Sequence, residues 1–424
     1  MHIEKFDNRG YRERTQCAIC GNKKLTNILS YGDTPLAGEF LLKDQINKEE
    51  LYPLCFLFCD NCYLFQTDGF IDPDILFKDY RYLSSVGLTK HFESVSKYLI
   101  DEFELNNHSS VLDIGANDGV LLLPLMKEGI NAVGIDPAVN VTKIARDKGC
   151  NIITDYFNED NAKKYFKESS FDVVTATNSF AHIENIHEIV AGVKWILKPT
   201  GAFVIEVHYI KNLIDQLAYD NLYAEHIYEY SLNSLKNLFS IHDMTIVDYE
   251  EIPVHAGSIR VVIKPGAQEV SEKVNYQLNY EKKLGLISLS GFKKFSERVH
   301  AHRESLHVFL KSIANDGKKI IGYGASGRAN ILAHLADINT NIVEYIVDES
   351  PERFGRYLSR THIPIYDKNY LDNDPEKPDY ILIFAWNFSK MIIKKLQDQN
   401  YNFIIPFPYP RIVNSVEDLD LQTL

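Results

Sequence analysis

The run Ser110-Val111-Leu112-Asp113-Ile114-Gly115-Ala116-Asn117-Asp118-Gly119 decides how the chain is read. Its apolar half is a strand, and the glycine-rich half is the turn after which a helix begins, the arrangement of a nucleotide-binding βα unit. Such a loop is weak evidence on its own, since a tight turn with no ligand has the same pattern. Three neighbours sharpen it: Asp113 at the strand end, Asp136-Pro137 at the end of the next strand, and Asp155-Tyr156 after the third. An acid at the second strand end accepts from both ribose hydroxyls, and one after the third can meet an adenine amino group. The glycines leave room for an aminoacyl tail, whose ammonium would face backbone carbonyls or Asp113. Asn117-Asp118 is expected to place a carboxylate where pyrophosphate would sit, which argues against NAD. S-adenosylmethionine fits, with Asp113, Gly115, Asn117, Asp118, Asp136 and Asp155 as its contacts.

Outward from this loop, helix and strand signals alternate: helix at 91–106, strand at 110–114, helix at 119–128, strand at 132–135, helix at 139–148, then strands at 151–154 and 171–176. Alternation of this kind specifies a parallel sheet covered by helices. Asn178, Phe180 and His182 follow the fourth strand, so they are expected at the carboxyl edge where ligands bind in an open α/β sheet. Residues 269–314 read as charged amphipathic helix with a break at Gly285. A second α/β block begins at 318–321, with later strands at 342–347 and 380–384.

Before residue 70 the chain reads as irregular, with short apolar runs such as Leu51-Tyr52-Pro53-Leu54. Cys17-Ala18-Ile19-Cys20 and Cys59-Asp60-Asn61-Cys62 are two CxxC knuckles, which together supply the four thiolates of a tetrahedral Zn²⁺ site. The loop between them exceeds usual ribbon spacing, and a redox pair or ordinary buried thiols are the alternatives. Four cysteine ligands leave no open position, so the zinc is expected to be structural. The fold class is therefore α/β: a zinc-binding module at 1–70, a Rossmann-like methyltransferase domain at 71–265, and a second Rossmann-like domain at 266–424.

The 424 residues carry 45 Lys plus Arg against 58 Asp plus Glu, a formal charge of −13, which argues against nucleic acid or anionic membrane as a partner. No apolar run approaches the ~20 residues of a membrane span. A cytoplasmic location is expected, and a monomer, with a weak dimer as the alternative.

Gly322-Tyr323-Gly324-Ala325-Ser326-Gly327 matches GxGxxG, and Asp348 closes the following strand. Alone it supports an NAD-dependent oxidoreductase. Arg328 adds a cation at the helix start, which suits any pyrophosphate, including that of a nucleotide-linked sugar. Leu222-Tyr223-Ala224-Glu225-His226-Ile227-Tyr228-Glu229-Tyr230 is dense in proton-moving groups, and Tyr80-Arg81-Tyr82-Leu83-Ser84-Ser85 supplies phenols and hydroxyls upstream.

In this order, the CxxC pairs, the 113–119 loop, Tyr223-Ala224-Glu225-His226 and Gly322-Tyr323-Gly324-Ala325 resemble the sugar C-methyltransferases acting on nucleotide-linked 4-keto-6-deoxyhexoses. The resemblance spans nearly the whole chain. It implies methyl transfer to carbon, at C3 or alternatively C5, with His226 as general base, Glu225 and Tyr223 beside it, and His182 and Asn178 lining the pocket. Asn178 and Phe180 would touch the cofactor. Tyr80 and Tyr82 match the family's aromatic segment, and Tyr323, Ser326 and Arg328 its sugar-nucleotide loop. Arg328 stands where the family often has lysine, which keeps the charge and changes the geometry. A third reading is a non-enzymatic zinc-scaffolded binding protein.

Overall fold

The computed structural model describes residues 5–77, 83–254 and 256–421. Tyr80 and Tyr82 lie outside them. By internal contacts the chain divides into two compact units: Met1–Thr26, Leu57–Lys211 and Ile227–Gly291 in the first, and Asn27–Phe56, Asn212–His226 and Phe292–Leu424 in the second. The chain thus leaves the first unit between the two CxxC pairs and returns just before Cys59, which accounts for their long spacing. Nor is that stretch irregular. Strands at Thr26–Thr34 and Tyr52–Phe58 occupy it, and in the latter Tyr52, Leu54, Phe56 and Phe58 are buried in strict alternation, Pro53 notwithstanding.

The first unit is built on a seven-stranded sheet: β1 (Ser110–Ile114), β2 (Asn131–Ile135), β3 (Asn151–Ile153), β4 (Phe171–Thr177), β5 (Leu197–His208), β6 (Met244–Ile252) and β7 (Ser258–Pro265). The order is β3-β2-β1-β4-β5-β7-β6, and β7 alone runs against its neighbours. Both faces are covered, as a mainly parallel sheet requires. Successive strand residues feed opposite cores. Leu112, Ile114, Val174, Phe203 and Ile205 pack with helices Ile186–Ile196 and Leu232–Ile241, whereas Val111, Val173, Ala202 and Val204 pack with Ser85–Glu102 and Leu122–Lys127.

Helix Glu272–Leu284 ends on Gly285, whose φ of +82° is the left-handed cap glycine tolerates, and a second helix follows at Leu289–Asn315. The sheet of the second unit comprises β8 (Ile320–Tyr323), β9 (Ile346–Asp348), β10 (Ile365–Asp367), β11 (Tyr380–Ile383), β12 (Asn402–Ile405) and β13 (Arg411–Val413), ordered β10-β9-β8-β11-β12-β13. Only β13 is antiparallel. This strand order is that of a doubly wound dinucleotide fold.

Candidate active site

The zinc knuckles are two copies of one turn. Gly21 N donates to Cys17 O at 3.0 Å and Tyr63 N to Cys59 O at 2.8 Å, while Cys17 N and Cys59 N bond back to Asn22 O and Leu64 O. The four sulfurs converge within 4.8 Å of one another, with Cys17–Cys62 at 3.3 Å and Cys20–Cys59 at 3.5 Å, and none is in a disulfide. Tetrahedral Zn–S bonds of about 2.3 Å require sulfur separations of about 3.8 Å. The donor set and its spacing therefore fit zinc.

At the end of β1 the chain turns through Gly115 at φ +75°, where a Cβ would lie 2.5 Å from that of Ser179. Gly115 N donates to Ile135 O, which ties the loop to β2. Asp136 accepts from Asn117 N at 3.0 Å and Ala138 N at 2.9 Å, so its orientation is set by backbone, and a carboxylate retains further acceptor positions for ribose hydroxyls. Asp113 is buried and accepts from Thr175 Oγ1 at 2.7 Å; burial, with smaller contributions from Asp136 and Glu206, pushes its carboxyl up to about 7. Asp155, on the loop after β3, takes Tyr156 N at 2.9 Å and the Tyr165 hydroxyl at 2.7 Å.

Two expectations for this loop are corrected. Asp118 does not face a ligand: it is fully buried, accepts from Ser85 N and Oγ, and pairs with Lys148 at 2.9 Å. It anchors helix Ser85–Glu102, helped by Asn117 Oδ1, which accepts from Ser84 N. The repulsion argument against pyrophosphate therefore fails, and the ligand preference rests on Asp113 and Asp136. Phe180 has no exposed surface to offer a cofactor, because it is stacked between Tyr230 and Phe239 in the core. Asn178, at φ +57°, donates its backbone N–H to Glu206 O, and neither atom of its side-chain amide is hydrogen-bonded within the described structure. His182 lies edge-on to Phe77 in the first unit.

Tyr223, Glu225 and His226 belong to the second unit, and the structure brings the rings of Tyr223 and His226 together, while Glu225 turns to Gly38. The rings of Tyr223 and His226 are 3.8 Å apart, and His226 N donates to Tyr223 O. His226 Nδ1 lies 2.8 Å from Asn221 O. A carbonyl only accepts, so Nδ1 carries the proton and Nε2 is the basic nitrogen. Glu225 accepts from Gly38 N at 3.4 Å, and burial raises its carboxyl to about 7.

The second glycine loop repeats the geometry of the first. Gly324 N donates to Val347 O, and Asp348 accepts from Ala325 N and Ser350 N, both at 2.7 Å, as Asp136 does from Asn117 and Ala138. Its surroundings differ. A Cβ on Gly327 would be 3.0 Å from Ala37 O, and Asn330 binds the carbonyls of Ala37 and Glu39, so residues 37–39 of the same unit cover this helix start. Arg353 also pairs with Asp348. The NAD reading loses its support here. Tyr323 donates its hydroxyl to Glu349, and Ser326 Oγ is buried without a hydrogen bond among the described residues.

Arg328 is a further correction. Its guanidinium grips Asp220 through two bonds of 2.9 and 2.7 Å, Trp386 Nε1 donates to the same carboxylate, and Asp220 is fully buried. Arg328 is thus an internal counter-ion, which is why arginine's fork stands where a point charge would serve phosphate. Arg328→Ala strands a buried carboxylate and is expected to lower unfolding stability by about 3 kcal/mol, measured by urea denaturation.

Compared with known proteins, the chain is 30% identical over 95% of its length to the C-methyltransferase NovU of Streptomyces niveus, 98% of which is covered. The chain belongs to the C-methyltransferase family. Three family descriptions divide this C-methyltransferase: a zinc binding domain over residues 17–77, a methyltransferase domain over 89–249, and a C-methyltransferase C-terminal domain over 253–408. The phosphoethanolamine N-methyltransferase of Plasmodium falciparum is 34% identical over 30% of this chain and 47% of its own length. The solved structure of YcgJ from Bacillus subtilis covers 42% of this chain and all of its own, at 17% identity and a TM-score of 0.34. S-adenosylmethionine is the cofactor of this C-methyltransferase, and zinc its structural metal. No helix among the described residues is long and apolar enough to cross a membrane.

Sequence reasoning missed several buried polar groups of the first unit. Glu206, on β5, is held by Arg260 at 2.6 Å and His91 at 2.7 Å. His208 ends the same strand, within 4.8 Å of Glu229, which the sequence marks only as a member of the 222–230 cluster. The alternation of Glu206 and His208 with Val207 was the available signal, but no strand was expected there.

Proposed function

We propose that this C-methyltransferase carries the methyl group of S-adenosylmethionine to C3 of a nucleotide-linked 4-keto-6-deoxyhexose in deoxysugar biosynthesis, with C5 as the alternative position. The supporting observation is the fixed tautomer of His226. With Nδ1–H bonded to Asn221 O, Nε2 is the nitrogen that carries the lone pair in the neutral ring and is suited to remove a proton from the carbon beside the C4 ketone. That proton stays on Nε2 as imidazolium. The enolate oxygen takes hydrogen bonds from Tyr223, His182 or Asn178, and Glu225 steadies the charge on the imidazole. S-adenosylmethionine supplies the electrophilic methyl when bound. By the family resemblance, Tyr80 would act in catalysis and Tyr82 in substrate binding, and Tyr323 and Ser326 would bind the nucleotide part of the substrate. We take residues 1–70, 71–265 and 266–424 as the zinc, methyl-donor and substrate blocks, in a monomeric cytoplasmic enzyme.

The test is incubation with methyl-labelled S-adenosylmethionine and a panel of nucleotide-linked 4-keto-6-deoxyhexoses. Label on the carbon next to the ketone supports the reading, and no label in any sugar overturns the substrate. Asp113 adds a pH signature. With a folded pKa near 7 it is largely neutral at pH 6, and a cationic ligand there favours its ionised form, so binding releases a proton. Affinity for S-adenosylmethionine is expected to rise with pH, by up to about fivefold from pH 6 to 7 and about tenfold by pH 8, and to level off above. Calorimetry of wild type against Asp113→Asn, which should be flat, checks this.

A further inference from the structure

Among the described residues, the first unit satisfies its buried acids with care, apart from Glu229. Glu281 accepts from Leu232 N, Asn233 N, Asn233 Nδ2 and the Tyr209 hydroxyl, all within 2.9 Å. Glu206 is held by Arg260 and His91. Glu229 is fully buried, yet neither carboxyl oxygen has a hydrogen-bond partner among the described residues. An unsatisfied buried polar group costs on the order of 1–3 kcal/mol, so its persistence asks for a partner that arrives with the ligand.

Glu229 is also held in place. The strand Tyr228–Glu229 pairs antiparallel with Phe65 and Gln66, and Tyr230 bridges to Tyr209, with Ile210 N donating to Tyr230 O at 3.1 Å. Glu281, through the Tyr209 hydroxyl, pins the same crossing. His208 stands just before it, at the carboxyl end of β5. A ring nitrogen of His208 and a carboxyl oxygen of Glu229 lie within 4.8 Å, but they are not hydrogen-bonded to each other. The turn Phe180–His182, at the carboxyl end of β4, packs against the strand that carries Glu229. This edge of the sheet is where ligands bind in open α/β folds.

We infer that Glu229 and His208 form a subsite that holds one ring hydroxyl of the acceptor sugar. A hydroxyl both donates and accepts, so one oxygen between the two groups takes the carboxylic O–H and gives its own proton to the imidazole. Burial pushes Glu229 well above the usual carboxylate range, which leaves it the neutral acid that can donate. A neutral carboxyl there suits a neutral polyol better than a phosphate. The subsite deepens the proposed sugar reading and rests on it.

The experiment compares wild type, Glu229→Met and Glu229→Gln on pairs of nucleotide-linked 4-keto-6-deoxyhexoses that differ by a single ring hydroxyl. For one such pair, Glu229→Met is expected to raise KM for the hydroxylated sugar about 10- to 100-fold and leave KM for its deoxy partner unchanged. Its melting temperature should rise, because an unsatisfied buried carboxyl has gone. Glu229→Gln, which keeps a neutral donor, should stay within about threefold of wild type. If the Met variant does not fold, His208→Leu is read on the same pairs, with the same expectation. Equal KM changes for both members of every pair, or none, overturn the subsite alone. A wild-type protein that methylates none of the sugars overturns the sugar reading and this subsite with it.

Discussion

His226→Asn is expected to lower kcat about 10³-fold and leave the melting temperature and S-adenosylmethionine affinity where they are. The asparagine amide can still donate to Asn221 O, which preserves a hydrogen bond that orients this side chain, but it offers no basic nitrogen in place of Nε2. Two readouts separate loss of the base from loss of the fold. In D2O without methyl donor, wild type should exchange the hydrogen on the carbon beside the ketone, and the variant should not. Thermal unfolding of the two proteins should coincide. A variant that keeps wild-type exchange would remove His226 from the reaction and move the search for a base to Glu225, whose carboxyl is raised by burial to about 7.

Loss of zinc should have the largest effect on stability. Cys59→Ser is expected to bind less than stoichiometric metal and to melt on the order of 10 °C lower, because structural zinc sites contribute several kcal/mol and each one shifts a domain of this size by about 2–4 °C. The effect should spread beyond the knuckles. Cys17, Ile19, Cys59, Cys62 and Leu64 pack into the same core as Leu112, Val174 and Ile205 of the sheet. His187 Nε2 donates to Ile19 O at 2.9 Å and Asn237 to Cys62 O at 3.1 Å, so both knuckles are tied to helices of the methyltransferase fold. Metal analysis with calorimetry checks this. A variant with full zinc content and an unchanged melting point would remove Cys59 from the ligand set.

Local chemistry was legible from the residues. Strand-then-glycine at 110–119, the acid at 136, the paired CxxC spacing and the break at Gly285 each depend on backbone conformation or donor type within a few residues. The strands β5, β6 and β7 were not read. β5 is 12 residues long and carries Glu206 and His208 among its apolar residues, and such charges look like solvent-facing positions until Arg260 and His91 arrive from elsewhere to meet them.

What the sequence by itself determined is the kind of protein this is: two glycine-loop α/β blocks, a four-thiolate metal site, and an acid pattern for S-adenosylmethionine, because those properties are local. Only the tertiary structure decided which polar groups are spent. Asp118 and Arg328 both sit on glycine loops and both read as ligand contacts, yet Ser85 and Lys148 take the first and Asp220 the second. Glu229, read only as one member of the 222–230 cluster, has no hydrogen bond to its carboxyl oxygens among the described residues. A side chain's availability depends on what long-range packing brings beside it, and residues more than 100 positions apart, such as Asp220 and Arg328, meet only once the chain has folded.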